Sequence, residues 1–221
     1  MNRQLLKDKA KLSVKANYWK CVLSAAILTF AIEGTASCTA NSSNTQTSDI
    51  TNQITSDPTL LAVIIGASIS VLLVALLIHI LLIRPLYAGA QNFFLINAED
   101  KAVLKDLFSG FKHYKITVST MFLHDLFLSL WTCLLIVPGI IKYYSYRMVP
   151  FILAENPNMP ATEIITKSRE MMDGHKMDAF ILDLSFLGWN ILSCLTCGIV
   201  GIFWAKPYYY QTNTEFYKSL L

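Results

Sequence analysis

Residues 107–146, LFSGFKHYKITVSTMFLHDLFLSLWTCLLIVPGIIKYYSY, decide the reading of this chain, because residues 171–210, MMDGHKMDAFILDLSFLGWNILSCLTCGIVGIFWAKPYYY, echo them. Displaced by 64 positions without a gap, Gly110 meets Gly174 and Lys112 meets Lys176. Phe122-Leu123 meets Phe186-Leu187, and Leu128-Ser129 meets Leu192-Ser193. Thr132-Cys133 meets Thr196-Cys197, and Lys142, Tyr144 and Tyr146 meet Lys206, Tyr208 and Tyr210. Leucine content alone does not produce a Gly-x-Lys lead-in, a Ser-x-x-Thr-Cys turn region and a Lys-x-Tyr-x-Tyr exit in the same register. An internal repeat governs the rest of the fold reasoning.

The whole chain has 221 residues, is 54% apolar and only 15% charged, with a mean hydropathy of +0.45. A soluble domain carries about 25% charged residues, and a core this small cannot hide so much apolar surface, so the expected class is an integral membrane protein. Five cysteines lie in or beside apolar runs, without metal-like spacing to histidine, which argues against a disulfide or zinc framework. Cys194-x-x-Cys197 reads as two small apolar residues near a turn rather than as a redox or metal motif.

Working outward, residues 1–20 form a basic amphipathic lead, with Leu5, Leu6, Ala10, Leu12 and Val14 on one side and Arg3, Lys7, Lys9, Lys11 and Lys15 elsewhere. Such a helix lies on a membrane surface, with Tyr18 and Trp19 at the level of the aromatic belt. Cys21 to Ala36 is a first apolar run interrupted by Glu33 and Gly34. It reads as a retained span, since Thr35-Ala36-Ser37-Cys38 is a poor lipobox. Residues 37–57 are rich in Ser, Thr and Asn without Lys or Arg, as in an outer loop, and Asn41-Ser42-Ser43 is a formal glycosylation sequon. Spans follow over 58–83, 116–137, 140–154, 177–195 and 199–210, with tight turns at Pro138-Gly139 and at Thr196-Cys197-Gly198. Surface helices are expected over LKDLFSGFK, ended by Gly110, and over ATEIITKSREMMDGHK, stopped by Gly174. A short amphipathic tail closes the chain.

Positive charge sets the orientation. With the N-terminus inside, all 18 Lys and Arg fall in cytoplasmic segments or in the later, short spans, and both termini are cytoplasmic. The repeating unit is then a surface helix, a span out, a turn and a span back. Asn17-Tyr18-Trp19-Lys20 and Arg84-Pro85-Leu86-Tyr87 mark a diverged first copy, the latter resembling Lys206-Pro207-Tyr208-Tyr209. The expected fold is all-α: a six-span transmembrane helical bundle of three parallel hairpin repeats with amphipathic cytoplasmic surface helices. It forms a single integral membrane domain with units of about 1–97, 98–158 and 159–221. Arg84 lies at the end of a long span while Lys142 follows Gly139 closely, so equivalent positions would sit at different depths.

SREMMDGHK, AFILDLSFLGW and LTCGIVGIFWAKPYYYQTNTEFY resemble the bacterial membrane-protein family catalogued as domain of unknown function 975. NRQLLKDKAKLSVKANYWKCVL and VPGIIKYYSYRMVPFILAENP resemble its other hallmark stretches. The resemblance implies a six-span protein of the cytoplasmic membrane, mostly in Gram-positive bacteria, and supplies no catalytic residues. It extends distantly to the membrane domain attached to some glycerophosphodiester phosphodiesterases, whose catalytic domain this chain lacks.

Ionisable groups inside a bilayer cost about 2.5–3.5 kcal/mol each, so each calls for a reason. Glu33, Asp125, Asp183, Lys142, Arg147 and Lys206 stand in apolar runs, with His79 and His124. Two arrangements account for them. In one, Lys142, Arg147 and Lys206 face an anionic headgroup or solute in a polar cavity lined by Tyr143, Tyr144, Tyr146, Tyr208, Tyr209 and Tyr210, beside a sixth span interrupted by Pro207. In the other, Asp125 and Asp183 pair with those cations and the tyrosines form an interfacial belt. No HExxH, Gly-x-Ser-x-Gly or Walker loop is present, and His124 and Asp125, about 100° apart on a helix, make a poor dyad. The expected function is that of a non-enzymatic accessory or lipid-interacting membrane factor without metal or cofactor; the alternative is a small transporter or channel. Expected partners are membrane lipids and a second copy or another membrane protein, with no nucleic acid.

Overall fold

A computed structural model describes residues 3–37, 58–196 and 198–221. The outer loop expected over 37–57 with its sequon, Cys38, Cys197 of the Cys-x-x-Cys pair, and the side chain of Glu33 fall outside the described residues, apart from the backbone of Ser37. Among the described residues the chain is all-α. The helices are α1 (Arg3–Ala16), α2 (Tyr18–Ser37), α3 (Pro58–Ile78), α4 (Arg84–Glu99), α5 (Tyr114–Leu134), α6 (Ile136–Ser145), α7 (Val149–Glu155), α8 (Ala161–Met171), α9 (Lys176–Leu184), α10 (Leu187–Leu195) and α11 (Lys206–Lys218). A π-helical segment, His79–Ile83, joins α3 to α4, and another, Gly201–Ala205, leads into α11. A 3-10 segment, Leu104–Phe111, precedes α5.

Three helical stretches are long and apolar enough to cross a membrane: Ala62–Glu99, Tyr114–Leu134 and Lys176–Leu195. Tyr18–Thr29 is apolar but shorter. The 38 residues of Ala62–Glu99 extend for about 57 Å, nearly twice the hydrocarbon thickness of a bilayer. Its two halves differ accordingly. α3 is exposed wherever its side chains are described, whereas α4 buries Ala88, Ala90, Phe93 and Phe94 completely or almost so.

The turn after α5 is not at Pro138-Gly139. A single extended residue, Leu135 (φ −157°, ψ 136°), ends α5, and α6 begins at once. Proline in the first turn of a helix loses no hydrogen bond, because the first N–H groups are unpaired there anyway. Gly139 serves packing: a Cβ on it would stand 2.9 Å from the Cα of Thr132 on α5. Gly201 seats in the same way against Ser193 of α10. Thr132 Oγ1 donates to Leu128 O (2.7 Å) and Thr196 Oγ1 to Leu192 O (2.9 Å), a matching pair at the 64-residue displacement. Gly198 takes φ +85° at the second turn. The span expected over 140–154 is broken at Tyr146–Met148 between α6 and α7, and that over 177–195 bends at Ser185-Phe186.

Three helices form the centre of a packed body, and each carries proline in its first turn: α4 at Pro85, α7 at Pro150 and α11 at Pro207. Each packs against a surface element that opens another part of the chain: α4 on the 3-10 segment, α7 on α8, and α11 on α1. Gly89 and Gly110 bring α4 and the 3-10 segment into backbone contact. A Cβ on Gly89 would collide with the Leu107 carbonyl, and one on Gly110 with that of Pro85. Gly110 thus permits a close crossing, whereas Gly174 (φ +76°) provides the left-handed turn after α8.

The two continuous helices solve their prolines alike. A proline inside a helix has no N–H for the carbonyl four residues earlier. For Pro85 that carbonyl is Leu81 O, and it accepts a hydrogen bond from Tyr114 Oη at 3.0 Å. For Pro207 it is Phe203 O, and Tyr18 Oη donates to it at 3.0 Å. The π-helical turns give the proline rings room without ending the helix. Arg84 and Lys206 are therefore equivalent in their local setting, each following a π turn and preceding a proline. Lys142 is not: it lies inside α6 without a π turn before it or a proline after it.

The C-terminal helix is the largest departure from the sequence expectation. The end of the expected sixth span, KPYYY, and the start of the expected amphipathic tail, QTNTEFYK, form one helix: α11 is buried from Pro207 to Tyr217 except at half-buried Tyr209. Its polar side chains are absorbed by partners. Gln211 donates to Phe94 O (3.3 Å) and accepts from Asn97 Nδ2 (3.1 Å), while Asn17 Nδ2 donates to Asn97 Oδ1 (3.0 Å) and Ala102 O (2.9 Å). Buried amides are tolerated only when bonded in this way. Phe151 stacks on Tyr217 with ring centroids 5.1 Å apart, and Tyr217 Oη donates to Glu155 (2.6 Å).

Candidate functional site

A cavity of about 350 Å³ opens where the inner helices converge. The π turn and α4 supply His79, Ile83, Arg84, Tyr87 and Gln91; α5 supplies Met121, His124 and Leu128. Tyr143 of α6, Tyr146 and Arg147 of the break that follows it, Pro150 and Phe151 of α7, and Tyr209, Tyr210 and Asn213 of α11 complete the wall. The volume is that of a small-molecule site.

Two ion pairs frame it. Arg147, with 8% of its side chain exposed, forks onto Asp183: Nη1 to Oδ2 at 2.7 Å and Nη2 to Oδ1 at 2.6 Å. Its Nη2 also donates to Asn213 Oδ1 (2.6 Å) and Tyr209 Oη (3.3 Å). Asp183 accepts further bonds from the hydroxyls of Tyr144 and Tyr209, both at 3.1 Å. A bidentate, charge-assisted pair with this many supporting bonds is held in one geometry. Arg84 Nη2 donates to Asp125 Oδ1 at 2.6 Å, and His124 Nδ1 lies 2.9 Å from the same oxygen. His124 and Asp125 do make contact, contrary to the helix-angle expectation. Both arginines line the cavity and neither carboxylate does. Arg84 Nε and Gln91 Oε1 are buried without a hydrogen-bond partner in the protein.

The sequence candidates are placed unevenly. Arg147, Tyr146 and Tyr210 line the cavity, with Tyr143 and Tyr209. Tyr146 sets its ring edge-on to His124, and Tyr210 stacks on Phe94. Asp183 and Tyr144 belong to the Arg147 cluster, and Asp183 lines a neighbouring cavity of about 200 Å³ with Lys206 and Tyr209. Asp125 pairs with Arg84, not with Lys142, Arg147 or Lys206. Lys142 lies over the Trp131 ring at 4.9 Å, away from the central cavity. Tyr208 packs on Phe186 beneath Lys11. Arg84, Gln91 and Asn213 were missed. The likeness of Arg84-Pro85 to Lys206-Pro207 was the signal that could have found Arg84. Among the described residues no group of three His, Cys, Asp or Glu side chains comes together as a metal site.

No curated protein and no solved structure matches the chain. A family model described as a protein of unknown function, DUF975, matches residues 132–221, which run from the last turn of α5 through the whole of α11 and include Arg147, Asp183 and Asn213. Over those residues the chain is similar to the DUF975 family.

Proposed function

We propose that this is a non-enzymatic, multi-pass membrane protein that binds lipid in the cavity between its inner helices. One observation carries the reading: the cavity is walled by two arginines and five tyrosines. It lies beside helices whose outer surfaces are apolar and exposed. The bilayer supplies phosphate-bearing ligands to such a site at high local concentration. The setting is the cytoplasmic membrane of a bacterium, with both termini and the packed body on the inner side.

The reading includes six spans in three parallel units, about 1–97, 98–158 and 159–221. Supporting it, each unit runs surface element, outgoing helix, return and proline-led inner helix. The packing of α4, α7 and α11 closes a ring in which each inner helix rests on the surface element of the next unit. Arg84–Asp125 joins the first unit to the second, and Arg147–Asp183 joins the second to the third. The spans 136–145 and 199–210 are short because their inner ends continue into the body.

Native mass spectrometry of the detergent-purified protein tests the reading. Retention of lipid in about one-to-one stoichiometry is expected. A protein free of lipid after gentle extraction overturns it. The second reading, a small transporter, draws on the π turn at His79–Ile83, part of which lines the cavity. Solute flux into liposomes that depends on Arg147 would favour it.

A further inference from the structure

We propose that a second cavity, at the start of α5, binds a phosphate group. It encloses about 180 Å³ between α4, the 3-10 segment, the first turn of α5 and the end of α7, and it shares no lining residue with the central cavity. That volume is below the range of sites that take whole organic ligands and suits a single anionic group. Asn92, Ser109, Lys112, His113 and Thr117 supply its polar wall, and no Asp or Glu lines it.

Thr117 carries the inference. It is 3% exposed and lines the cavity, and among the described residues its hydroxyl has no hydrogen-bond partner. A buried hydroxyl without a bond is costly until a ligand or solvent completes it. Helical side chains lean toward the N-terminus, so Thr117 overlies the turn that starts at His113, four residues earlier. Ser109 Oγ accepts from Asn92 Nδ2 at 2.9 Å, which leaves the serine O–H to be donated elsewhere. Two hydroxyl donors thus border the cavity beside two basic side chains. The N-terminal end of a 21-residue helix, which His113 leaves without a side-chain cap, adds partial positive charge.

The internal repeat separates this site from its surroundings. At the 64-residue displacement Lys112 corresponds to Lys176, Ser109 to Asp173 and Thr117 to Ile181. In the later copy Lys176 Nζ lies 3.6 Å from an Asp173 carboxylate oxygen. The earlier copy has a hydroxyl where that carboxylate stands and a second hydroxyl where the isoleucine stands, and among the described residues Lys112 makes no ion pair. Positive charge is left uncompensated in one copy only. The donors come from three successive segments, the 3-10 segment, the link after it and α5, and a phosphate offers three peripheral oxygens to meet them.

Phosphate reaches this place from two sources, and the test separates them. Tyr114–Leu134 is long and apolar enough to cross a membrane, and lipid headgroups lie at the end of a helix that does so. Soluble phosphate reaches it from water, to which Lys112 and His113 are exposed. The unfolding temperature of the full chain in detergent is titrated with dioctanoyl phosphatidic acid, with dioctanoylglycerol, which lacks the phosphate, and with inorganic phosphate. Phosphatidic acid is expected to raise it and dioctanoylglycerol to leave it unchanged. A comparable rise with inorganic phosphate assigns the site to the soluble source; no rise with inorganic phosphate assigns it to lipid. Thr117→Val keeps the shape and deletes the hydroxyl. The ligand-free variant is expected to be as stable as the parent or more so, with apparent affinity about tenfold weaker. Lys112→Gln, at an exposed position that does not endanger folding, is expected to weaken binding to a similar degree, and Lys176→Gln to leave it unchanged.

No rise with either phosphate ligand, or an equal rise with dioctanoylglycerol, overturns the proposal. Full affinity in Thr117→Val or in Lys112→Gln does so too, because the shift then arises at another place such as the central cavity. An equal loss in Lys176→Gln reduces the effect to general surface charge and overturns it as well.

Discussion

At the scale of single residues, Arg147 ties three parts of the body together. It binds Asp183 with two bonds and Asn213 with a third, so it links the α6–α7 break to α9 and α11. Removing one member of such a pair leaves the other charge buried. Arg147→Ala or Asp183→Asn is therefore expected to cost about 3 kcal/mol, toward the low end of buried pairs because Asp183 keeps 24% of its side chain exposed. Replacing both with Met and Leu is expected to recover most of the loss, and chemical denaturation in detergent measures the difference. Glu215 gives the opposite case. It is 7% exposed, and burial pushes its carboxyl above the usual range, against the pull of Lys218 and Lys9. The folded protein then holds the Glu215 proton more tightly than the unfolded chain does. The group costs stability above its native pKa, and the cost disappears as pH falls below the ordinary glutamate value of about 4.3. Glu215→Gln is expected to raise the unfolding temperature at pH 7, with the gain shrinking toward pH 4. A gain that grows on acidification would contradict the sign.

At the scale of elements, the proline-led helices make the sharpest case. Tyr114 and Tyr18 each donate to the carbonyl that a proline leaves without an N–H. Tyr114→Phe is expected to cost about 1 kcal/mol and to speed hydrogen exchange around residues 79–87. In a Pro85→Ala background the main chain regains its own donor, so the same substitution should cost almost nothing there. Additive effects of the two changes would refute the pairing. The crossing of α4 and the 3-10 segment is equally specific. Gly110→Ala forces two backbones apart and is expected to cost about 3 kcal/mol, whereas Gly174→Ala strains only one left-handed residue, for about 1 kcal/mol. The helical class was legible in the sequence, because apolar runs are strong local signals; Arg147 and Asp183 stood out as charges in such runs, but Arg147 was one of three cations open to Asp183. The sequence hid the role of α11, since a buried helix that binds its polar groups to amides across the fold reads locally as a solvated tail. Pro138-Gly139 misled for a related reason. Proline is neutral in a first helical turn and glycine can serve a packing contact, and neither use leaves a mark distinct from a turn.

At the scale of the whole molecule, the length of one helix constrains the topology. Ala62–Glu99 is nearly twice as long as a bilayer's hydrocarbon core is thick, and its apolar, exposed part comes first while its packed part comes second. If the first part crosses the membrane, the second must stand beyond it, inside the body that α1, α7, α8 and α11 share with it. That body carries the basic surface of Lys7, Lys9, Lys11 and Lys15, whereas residues 38–57 carry no Lys or Arg. Under the proposed topology, the positive-inside rule puts the body in the cytoplasm and residues 38–57 outside. Single cysteines in a background with the five native ones replaced report this directly. Ser43→Cys is expected to react with a membrane-impermeant maleimide on intact cells. Lys101→Cys, in the exposed link before the 3-10 segment, and Asn158→Cys, between α7 and α8, are expected to react only after permeabilisation. Labelling of Lys101→Cys from outside would invert the molecule. Labelling of Lys101→Cys and Asn158→Cys from opposite sides would mean that α5 and α6 do not form an out-and-back pair, and the three-unit ring would fall with it.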